Sequence, residues 1–301
     1  RQMMEGPDGG RPRVVAIGGG HGLAASLAAV RRYAGEVTAI VSVADDGGSS
    51  GRLREDYGVP PPGDVRRCLV ALAEAGSPWV EAFEHRFEGG ELGGHALGNL
   101  LIAGLAATLG SFEAALGEAG RILGVSGTVL PATTEAVVLK ALVWAADGTE
   151  GDAVEGQVAV AKAGGICAVS LVPGDAQPPA AAAEALARAD QVVIGPGSLF
   201  TSVLAVVAVP ALREALAATS ARKVYVCNLA PQVPETAGYD VAAHVDAMRA
   251  HGLEVHTVLC HPGSMPLGRL DLECVQRPVA RADGLGHDPV RLADALSDLV
   301  V

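Results

Sequence analysis

Strand-like apolar runs alternate with helix-like runs along most of this chain, and this alternation limits the folds that it can adopt. Strands are predicted at residues 13–17, 37–43, 191–195, 223–228 and 254–260. Helices are predicted at residues 22–33, 64–75, 95–109, 179–189, 201–218, 239–250 and 289–299. Such alternation is typical of a parallel sheet with helices on both faces, because each crossover between parallel strands needs a helix. We therefore predict an α/β fold with a Rossmann-like parallel sheet.

One stretch, residues 136–172, breaks this rhythm. It holds two β-rich runs with the dipeptide Asp147-Gly148 between them, and an Asp-Gly pair in that position predicts a β-hairpin. We predict a small β insertion here, within one Rossmann-like nucleotide-sugar-binding domain that spans residues 13–301. Two lobes are the alternative. Residues 1–12 contain no apolar stretch, and we predict a disordered tail rather than a signal peptide.

Composition and charge argue against several classes of protein. Half of the chain is apolar but only 3% is aromatic, which predicts a core of alanine, valine and leucine. The net charge of −12, without a lysine- or arginine-rich block, argues against nucleic-acid binding. The five cysteines form no CxxC pair, so neither a disulfide framework nor a zinc site is predicted. No apolar run reaches the roughly 18–20 residues that cross a bilayer, and we expect a cytoplasmic protein without membrane contact.

The first unusual loop is "IGGGHGL", between the first predicted strand and the first predicted helix. The amides of Gly19, Gly20 and Gly22 can converge on an anion, and the helix N-terminus adds partial positive charge. We predict phosphate contact here, with a tight turn as the alternative. No Lys-Ser/Thr pair follows the glycines, and Leu23 stands where a dinucleotide fingerprint has glycine or alanine. His21 either donates to a phosphate or is solvated at the tip of the loop.

The second unusual loop, "VADDGGSSGRLRE", follows the next predicted strand. Its adjacent acids Asp45 and Asp46 are candidates to bind Mg²⁺, to act as a base or to accept hydrogen bonds from sugar hydroxyls. The alternative is an Asp-Gly turn that caps the next helix. Because consecutive residues of an extended segment point in opposite directions, we expect only one of the two carboxylates to face a ligand.

The third loop, "PPPGDVRRCLVAL", predicts a helix with Asp64 as its N-cap and with Arg66 and Arg67 in its first turn. Arginines oppose the helix dipole there unless an anion is near, which favours a functional role for one of them. Asp64 and Arg66 are therefore kept as ligand-binding candidates. The related stretch "GGHALGNLLIAGL" places His95 and Asn99 on one side of a helix, as ligand contacts or as a buried, satisfied pair.

The fourth loop, "VVIGPGSLFTSVLAVV", is a second strand–glycine loop–helix unit. Gly195 and Gly197 offer free amides, and Pro196 stiffens the turn. Ser198 and Thr201 offer hydroxyls at the start of the helix. One glycine loop is a weak indication, but two that each follow a core strand predict a ligand with two phosphates that bridges them.

Polar residues after the last strands complete the set of candidates. Asn228 ends a strand in "VYVCNLAPQVPETAGYD" and is a candidate contact to a sugar or a base. His244, His251 and His256 have no carboxylate cluster opposite them in the pattern, and we interpret them as surface or packing residues.

Together these motifs resemble the bacterial gluconeogenesis factor family, whose members are described as UDP-N-acetylglucosamine-binding regulators. The family is sister to 2-phospho-L-lactate transferase. The resemblance runs in order from about residue 13 to residue 260 and rests on "IGGGHGL", "TAIVSVADDGGSSGRLR", "PPGDVRRCLVAL", "HRFEGGELGGHALGNLLIAGL", "VIGPGSLFTSVL" and "KVYVCNLAPQVPETAGY".

The resemblance implies a Rossmann-like fold that binds a UDP-sugar, with no cofactor required and with Mg²⁺ as an option at Asp45 or Asp46. It also implies a link to cell wall precursor supply and cell shape. We further expect a homo-oligomer and an enzyme of amino-sugar metabolism as a partner. The sequence departs from the family pattern at His21, where threonine is usual, and at Pro231 and Ala237, which replace threonine and aspartate. Carried over by position, the ligand contacts are Gly19, Gly20, Gly22, Leu23, Asp45, Asp46, Asn99, Gly195, Pro196, Gly197, Ser198, Thr201 and Asn228.

Three functions are compatible with these residues. The first is a regulator that senses UDP-N-acetylglucosamine without turning it over. The second is a phosphotransferase that uses Asp45 or Asp46 with Mg²⁺ on a nucleoside-diphosphate-linked substrate. The third, an NAD-dependent dehydrogenase, is weakened by Leu23 and by the second glycine loop. For the first two we expect a diphosphate on the first glycine loop and the nucleotide extending towards residues 195–198.

Overall fold

The computed structural model describes residues 10–145 and 149–300, and ten strands form two sheets in this part of the chain. The strands are β1 (Arg13–Gly18), β2 (Glu36–Val41), β3 (Thr128–Pro131), β4 (Val138–Trp144), β5 (Glu150–Glu155), β6 (Ile166–Val172), β7 (Gln191–Ile194), β8 (Arg222–Val226), β9 (Thr257–Cys260) and β10 (Glu273–Gln276). Seven of them form a parallel sheet in the order β10-β9-β8-β7-β1-β2-β3. The predicted α/β, Rossmann-like fold class is confirmed.

Helices connect these strands and cover the large sheet. They are α1 (Gly20–Val30), α2 (Gly48–Tyr57), α3 (Gly63–Leu72), α4 (Pro78–Glu84), α5 (Leu97–Leu109), α6 (Phe112–Leu123), α7 (Gln157–Ala161), α8 (Ala180–Arg188), α9 (Leu204–Val207), α10 (Pro210–Ala218), α11 (Val241–Ala250) and α12 (Pro289–Ser297). A π-helical turn, Leu199–Val203, leads into α9. The single helix predicted at 201–218 is broken at Pro210, which has no amide to continue the hydrogen-bond ladder and instead begins α10.

The strand order positions the functional loops. From β1 the chain proceeds through β2 to β3 on one side, and it later returns to β7 on the other side of β1. The direction of winding therefore reverses between β1 and β7. In open α/β sheets, ligands bind at the carboxyl ends of the strands on either side of such a reversal. The two glycine loops follow these two strands.

The core is built from small aliphatic residues, as the composition predicts. The central strands are buried on both faces, and the side chains of Ile17 and Val193 have no exposed surface. Continuous apolar strands of this kind are typical of a parallel sheet covered by helices. Tyr225, Phe83 and Phe200 are the largest fully buried side chains.

A small antiparallel sheet, in the order β5-β4-β6, corresponds to the predicted β insertion. It has a third strand, β6, in addition to the two of the predicted hairpin. Asp147 and Gly148, the predicted turn, lie outside the described residues, as do residues 1–9 of the predicted tail. The insertion contacts the loop that follows β2: the backbone amide of Val158 donates to the carboxylate of Asp46 at 2.9 Å.

Several elements were not predicted, namely α2, α4, α6, α7, β3 and β10. Helix α2 has the sequence GSSGRLREDY, which contains two glycines and no apolar period, so the pattern indicates a loop. The fold fixes this helix through long-range contacts: Leu53 is buried, and Ser50 Oγ accepts a hydrogen bond from the Gly63 amide at 3.1 Å.

Within residues 10–145 and 149–300, no single helix is long and apolar enough to cross a membrane. One bent pair, Leu199–Val207 with Pro210–Ala218, meets the criterion by length and composition only, with a bend of 80°.

Candidate functional site

The two glycine loops are in direct backbone contact at the carboxyl ends of β1 and β7. A Cβ atom placed on Gly22 would lie 2.1 Å from the carbonyl oxygen of Pro196 and 2.8 Å from Cα of Gly197. Ser26, one turn further along α1, donates its hydroxyl to the Gly195 carbonyl at 2.6 Å. Glycine is therefore required at position 22 because another backbone passes there, not only because of a ligand.

The first glycine loop packs against Asp64 of α3. A Cβ atom on Gly19 would lie 2.7 Å from Oδ2 of Asp64, and the Gly20 amide donates to the same carboxylate. Gly20 has φ +59, a conformation that favours glycine. Leu23 is fully buried in the core, and its amide donates to the Gly19 carbonyl at 3.3 Å. His21 is exposed at the tip of the loop.

Asp64 does not have the N-cap position that the sequence predicts. Helix α3 begins at Gly63 with Pro62 in the cap position, so the Asp64 side chain bonds elsewhere. It accepts a hydrogen bond from Nη1 of Arg67 at 2.7 Å. Burial raises the pKa of Asp64, and the adjacent Arg67 charge opposes that shift. The side chain of Arg67 is 24% exposed, so its guanidinium is accessible beside the first glycine loop.

Arg67 also affects His21. Partial desolvation of the ring by the neighbouring loop, followed by the positive charge of Arg67, lowers the pKa of His21 below its usual value. His21 is consequently neutral near pH 7 and has one ring N–H to donate. The loop amides, His21 and Arg67 together form a group of hydrogen-bond donors around the N-terminus of α1.

Arg66 and Asn99 belong to a buried polar network. Nε of Arg66 donates to Oδ1 of Asn99 at 3.0 Å, and Nη1 of Arg66 contacts Glu84 at 3.2 Å. Nδ2 of Asn99 donates to the Ser49 hydroxyl at 3.0 Å, and Nδ1 of His95 lies 2.9 Å from the same hydroxyl. These bonds join α2, α3, α4 and α5. They match the interpretation of His95 and Asn99 as a buried, satisfied pair.

The two adjacent carboxylates of the acidic loop have different surroundings. Asp46 accepts hydrogen bonds from the small insertion at Val158. Oδ1 of Asp45 accepts from the Gly47 amide at 3.0 Å, while Oδ2 faces the beginning of α3, 3.3 Å from the position of a Cβ on Gly63. Asp45 is also close enough to Asp64 for its charge to raise the pKa of that carboxyl. The two carboxylates therefore lie within electrostatic range of each other, and Asp64 borders the first glycine loop.

Asp45 and Asp64 are the carboxylates to consider for a divalent cation beside this loop, in place of the Asp45 or Asp46 of the sequence analysis. Mg²⁺ prefers oxygen ligands and is often bound by one or two carboxylates together with substrate phosphates. Asp45 and Asp64 offer such oxygens next to the loop where a phosphate is expected. Across the described parts of the chain, no group of three or more His, Cys, Asp or Glu side chains has the arrangement of a metal site. A cation at these two carboxylates would therefore need further oxygens from a ligand.

A side chain that the sequence analysis did not single out, Glu235, binds the amides that follow the second glycine loop. Glu235 is 5% exposed, and its Oε1 accepts hydrogen bonds from the Phe200 amide at 2.7 Å and the Thr201 amide at 3.1 Å. Its Oε2 accepts from the Ser198 hydroxyl. The N-terminus of the helical segment that was predicted to bind phosphate therefore already holds a carboxylate.

Asn228 also bonds within the second loop. Its Oδ1 accepts from the Gly197 amide at 2.8 Å, and its Nδ2 donates to the Gly197 carbonyl at 2.9 Å. Both polar atoms of the side chain are thus engaged with one residue of the loop. The side chain of Thr201 is buried, and Ser198 is half-buried and borders the solvent-facing side of the loop.

An aromatic cluster packs around Phe200, in the helical turn that follows the second loop. The rings of Phe200, Tyr239 and His251 contact each other edge to face through Phe200, with centroids 6.1–6.3 Å apart. His244 packs against Tyr239 and is stacked on Tyr225, at 5.3 Å and 6.3 Å. The interpretation of His244 and His251 as packing residues is consistent with these contacts.

Glu235 could have been found in the sequence by position. It follows β8 in "PQVPETAGYD", and loops after parallel strands meet at one edge of the sheet. A carboxylate there has the chemistry to satisfy a helix N-terminus. The pattern does not reveal its partner, because Glu235 and Phe200 are 35 residues apart.

Comparison with known proteins finds a matching family and similar relatives over most of the chain. The sequence profile of the family described as 2-phospho-L-lactate transferase CofD matches residues 14–278. A gluconeogenesis factor from Bacillus subtilis is 40% identical over 321 aligned positions, which cover 97% of this chain and 99% of that protein. A gluconeogenesis factor from Halalkalibacterium halodurans is 45% identical over 243 positions, covering 80% of this chain and 74% of that protein.

A solved structure is also similar. The crystal structure of a UPF0052 family member from Bacillus halodurans superimposes with a TM-score of 0.88 at 38% sequence identity. The superposition covers 95% of this chain and 98% of the other. The similarity therefore extends over the large sheet, the insertion and both glycine loops.

Proposed function

This chain belongs to the gluconeogenesis factor family, and we propose that it binds a UDP-sugar, UDP-N-acetylglucosamine or a related one, as a regulatory ligand. One observation carries the proposal. Two glycine loops touch each other where the winding of the sheet reverses, and hydrogen-bond donors surround the first of them. A nucleotide sugar bound there would have its diphosphate at these donors, in the crevice where such sheets bind ligands.

The first glycine loop supplies the groups that a diphosphate needs. The amides of His21 and Gly22 lie in the first turn of α1, where the helix dipole favours an anion. Arg67 is partly exposed beside them and can form charge-assisted hydrogen bonds to phosphate oxygens. Its pairing with Asp64 holds the guanidinium in position. We assign the diphosphate to this loop.

A cation has a place in the same proposal. When Mg²⁺ is bound, Asp45 and Asp64 would hold it, and the ion would offset the negative charge of the phosphates. Asp46 is not assigned to it, because Asp46 bonds to the insertion. No cofactor is required for ligand binding alone.

The biological role that we propose follows the family. The protein would act in the cytoplasm, as a homo-oligomer, and would link carbon metabolism to cell wall precursor supply and cell shape. An enzyme of amino-sugar metabolism would be its partner. Nucleic acid and membranes are not proposed as partners.

Native mass spectrometry of the purified protein tests ligand identity directly. We expect a UDP-sugar to co-purify with the unchanged protein and to be lost from Arg67→Ala. Arg121→Ala is the matched control, because Arg121 is 72% exposed on α6 and pairs only with Glu118 among the described residues. A bound dinucleotide, or loss of the ligand from both variants, would contradict the proposal.

A second candidate function is phosphotransfer, and a specific observation favours it. Asp64 borders the first glycine loop, and Asp45 faces the beginning of the same helix, α3. Two such carboxylates could hold the metal ion of a metal-assisted transfer of a phosphorus-containing group. The profile of a 2-phospho-L-lactate transferase family also matches most of the chain. Overnight incubation with Mg²⁺ and UDP-N-acetylglucosamine, followed by chromatography, distinguishes the two functions. A sensor leaves the ligand intact, whereas stoichiometric release of UDP or UMP that Asp45→Asn abolishes identifies an enzyme.

A further inference from the structure

The second glycine loop has few hydrogen-bond donors left for a ligand. The Gly195 amide donates to the Ile17 carbonyl, and Pro196 has no amide hydrogen. The Gly197 amide donates to Asn228. The amides of Phe200 and Thr201 both donate to Glu235, as stated above. From position 195 to position 201, only the amides of Ser198 and Leu199 are left without an internal acceptor.

The hydroxyl protons of Ser198 and Thr201 are also used in bonds within the protein. Ser198 donates its proton to Oε2 of Glu235, and its oxygen is 2.5 Å from Oγ1 of Thr201. Because the Ser198 proton is committed to Glu235, Thr201 is the donor in the Ser198–Thr201 bond. A hydroxyl oxygen has two lone pairs, so Ser198 keeps one of them as an acceptor. The hydroxyls therefore present acceptors to a ligand, not donors.

The charge around the second loop also disfavours a phosphate there. The structure gives Glu235 no ion pair with a described lysine, arginine or histidine. The helix N-terminus balances only about half of a unit charge, so the surroundings of Ser198 remain negative. A second anion beside a buried carboxylate is unfavourable, since the interior screens charges weakly. The first loop also borders a buried carboxylate, Asp64, but Arg67 pairs with it at 2.7 Å and offsets its charge.

From this contrast we infer that Glu235 determines the orientation of the ligand. It makes the second glycine loop a site for an uncharged group that donates hydrogen bonds, such as the hydroxyls of a ribose or a sugar, and it excludes phosphate from that loop. The diphosphate is then confined to the first loop. This inference rests on the proposed function, because it specifies which part of a nucleotide sugar each loop binds. It also argues against the expectation that a pair of phosphates bridges the two loops.

Calorimetry with two probes, UDP-N-acetylglucosamine and inorganic pyrophosphate, tests the inference. Glu235→Gln keeps an oxygen that can accept from the Phe200 and Thr201 amides, and it removes the charge. The amide group that replaces Oε2 would donate to Ser198 and take up the oxygen that is free to accept from a ligand. We therefore expect this variant to bind UDP-N-acetylglucosamine about tenfold or more weakly. Pyrophosphate affinity is expected to be unchanged or higher. Glu184→Gln, which removes the same charge from an exposed position on α8, should change neither affinity.

Ser198→Ala provides a second variant that leaves the bonds between Glu235 and the two amides in place. It should weaken UDP-N-acetylglucosamine binding and leave pyrophosphate binding unchanged, and it decides the question if Glu235→Gln does not fold. Tighter binding of both probes by Glu235→Gln would overturn the inference, because it would mean that a phosphate competes with Glu235. The inference would also be overturned if Glu235→Gln lost affinity for both probes equally or changed neither affinity. Failure of the unchanged protein and of both variants to bind pyrophosphate would overturn it as well. If the unchanged protein binds neither UDP-N-acetylglucosamine nor any other UDP-sugar, the proposed function itself fails, and the inference with it.

Discussion

Gly22 and Pro196 are in contact through their backbones: a Cβ atom on Gly22 would lie 2.1 Å from the Pro196 carbonyl oxygen. This contact joins the loop after β1 to the loop after β7, which are separated by more than 170 residues in sequence. The relative position of the two loops is therefore fixed by the protein before any ligand binds. A preformed site of this kind avoids part of the ordering cost of binding.

Gly22→Ala tests this contact. The added methyl group has no space, so the loops must separate, and we expect a loss of about 1–3 kcal/mol in unfolding free energy together with weaker ligand binding. Urea denaturation measures the first effect. Gly104→Ala is the control, because Gly104 is exposed in α5 with no neighbour within 4 Å of the added atom. It should stabilise the protein by about 0.5–1 kcal/mol. Equal stability of Gly22→Ala and the unchanged protein would contradict the contact.

The adjacent carboxylates should separate into two roles. Asp45→Asn should raise the Kd for UDP-N-acetylglucosamine about ten- to hundredfold in the presence of Mg²⁺, since charge-assisted interactions are lost. Asp46→Ala should leave that Kd unchanged and reduce stability by about 1 kcal/mol, because the Val158 amide loses its acceptor. Calorimetry and thermal unfolding of both variants measure the two effects. The reverse pattern would show that Asp46 is the ligand-facing residue.

The buried network around Arg66 should contribute to stability. Arg66→Ala leaves the Asn99 oxygen and the Phe83 carbonyl without their donor, and we expect a loss of about 2–3 kcal/mol in unfolding free energy. Denaturant unfolding against Arg121→Ala, the exposed arginine on α6, is the comparison. Arg121→Ala should have no measurable effect, as is usual for exposed ion pairs. Unfolding midpoints that shift equally in the two variants would remove Arg66 from its structural role.

His287 should make the protein less stable in mild acid. Burial lowers the pKa of His287 to about 4, against about 6.5 in the unfolded chain. The unfolded state therefore binds the additional proton first as pH falls. Neutral His287 therefore contributes fully to the free energy of unfolding above about pH 6.5. This contribution, roughly 2–3 kcal/mol, is lost as the pH falls from about 6.5 to about 4. His287→Phe cannot titrate, so its stability should decline less steeply over this range. Parallel pH profiles for the two proteins would contradict the assignment.

Most strands and helices were predictable, because the sequence pattern that indicates each of them is contiguous in the chain. The apolar runs of β1 and β7 and the glycines behind them are contiguous in sequence, and each run indicates a strand by itself. Helix α2 was not predictable in this way. Its polar residues are held by contacts to α3 and α5, such as the bond between Ser50 and Gly63, and no local pattern announces them.

The site was predictable in position but only partly in chemistry. The sequence identified both glycine loops and placed them at one edge of the sheet. It could not show that Gly22 faces Pro196, or that Glu235 takes the amides of Phe200 and Thr201. A glycine needed for close backbone approach and a glycine needed for phosphate contact look the same in a sequence. Only the long-range partner distinguishes them.

Calorimetric titration of the unchanged protein with UDP-N-acetylglucosamine and, in parallel, with NAD tests the central claim most directly. We expect micromolar affinity for UDP-N-acetylglucosamine, roughly −7 to −8 kcal/mol, and weaker binding of NAD. NAD that binds more tightly than every UDP-sugar tested would contradict a UDP-sugar site at the two glycine loops.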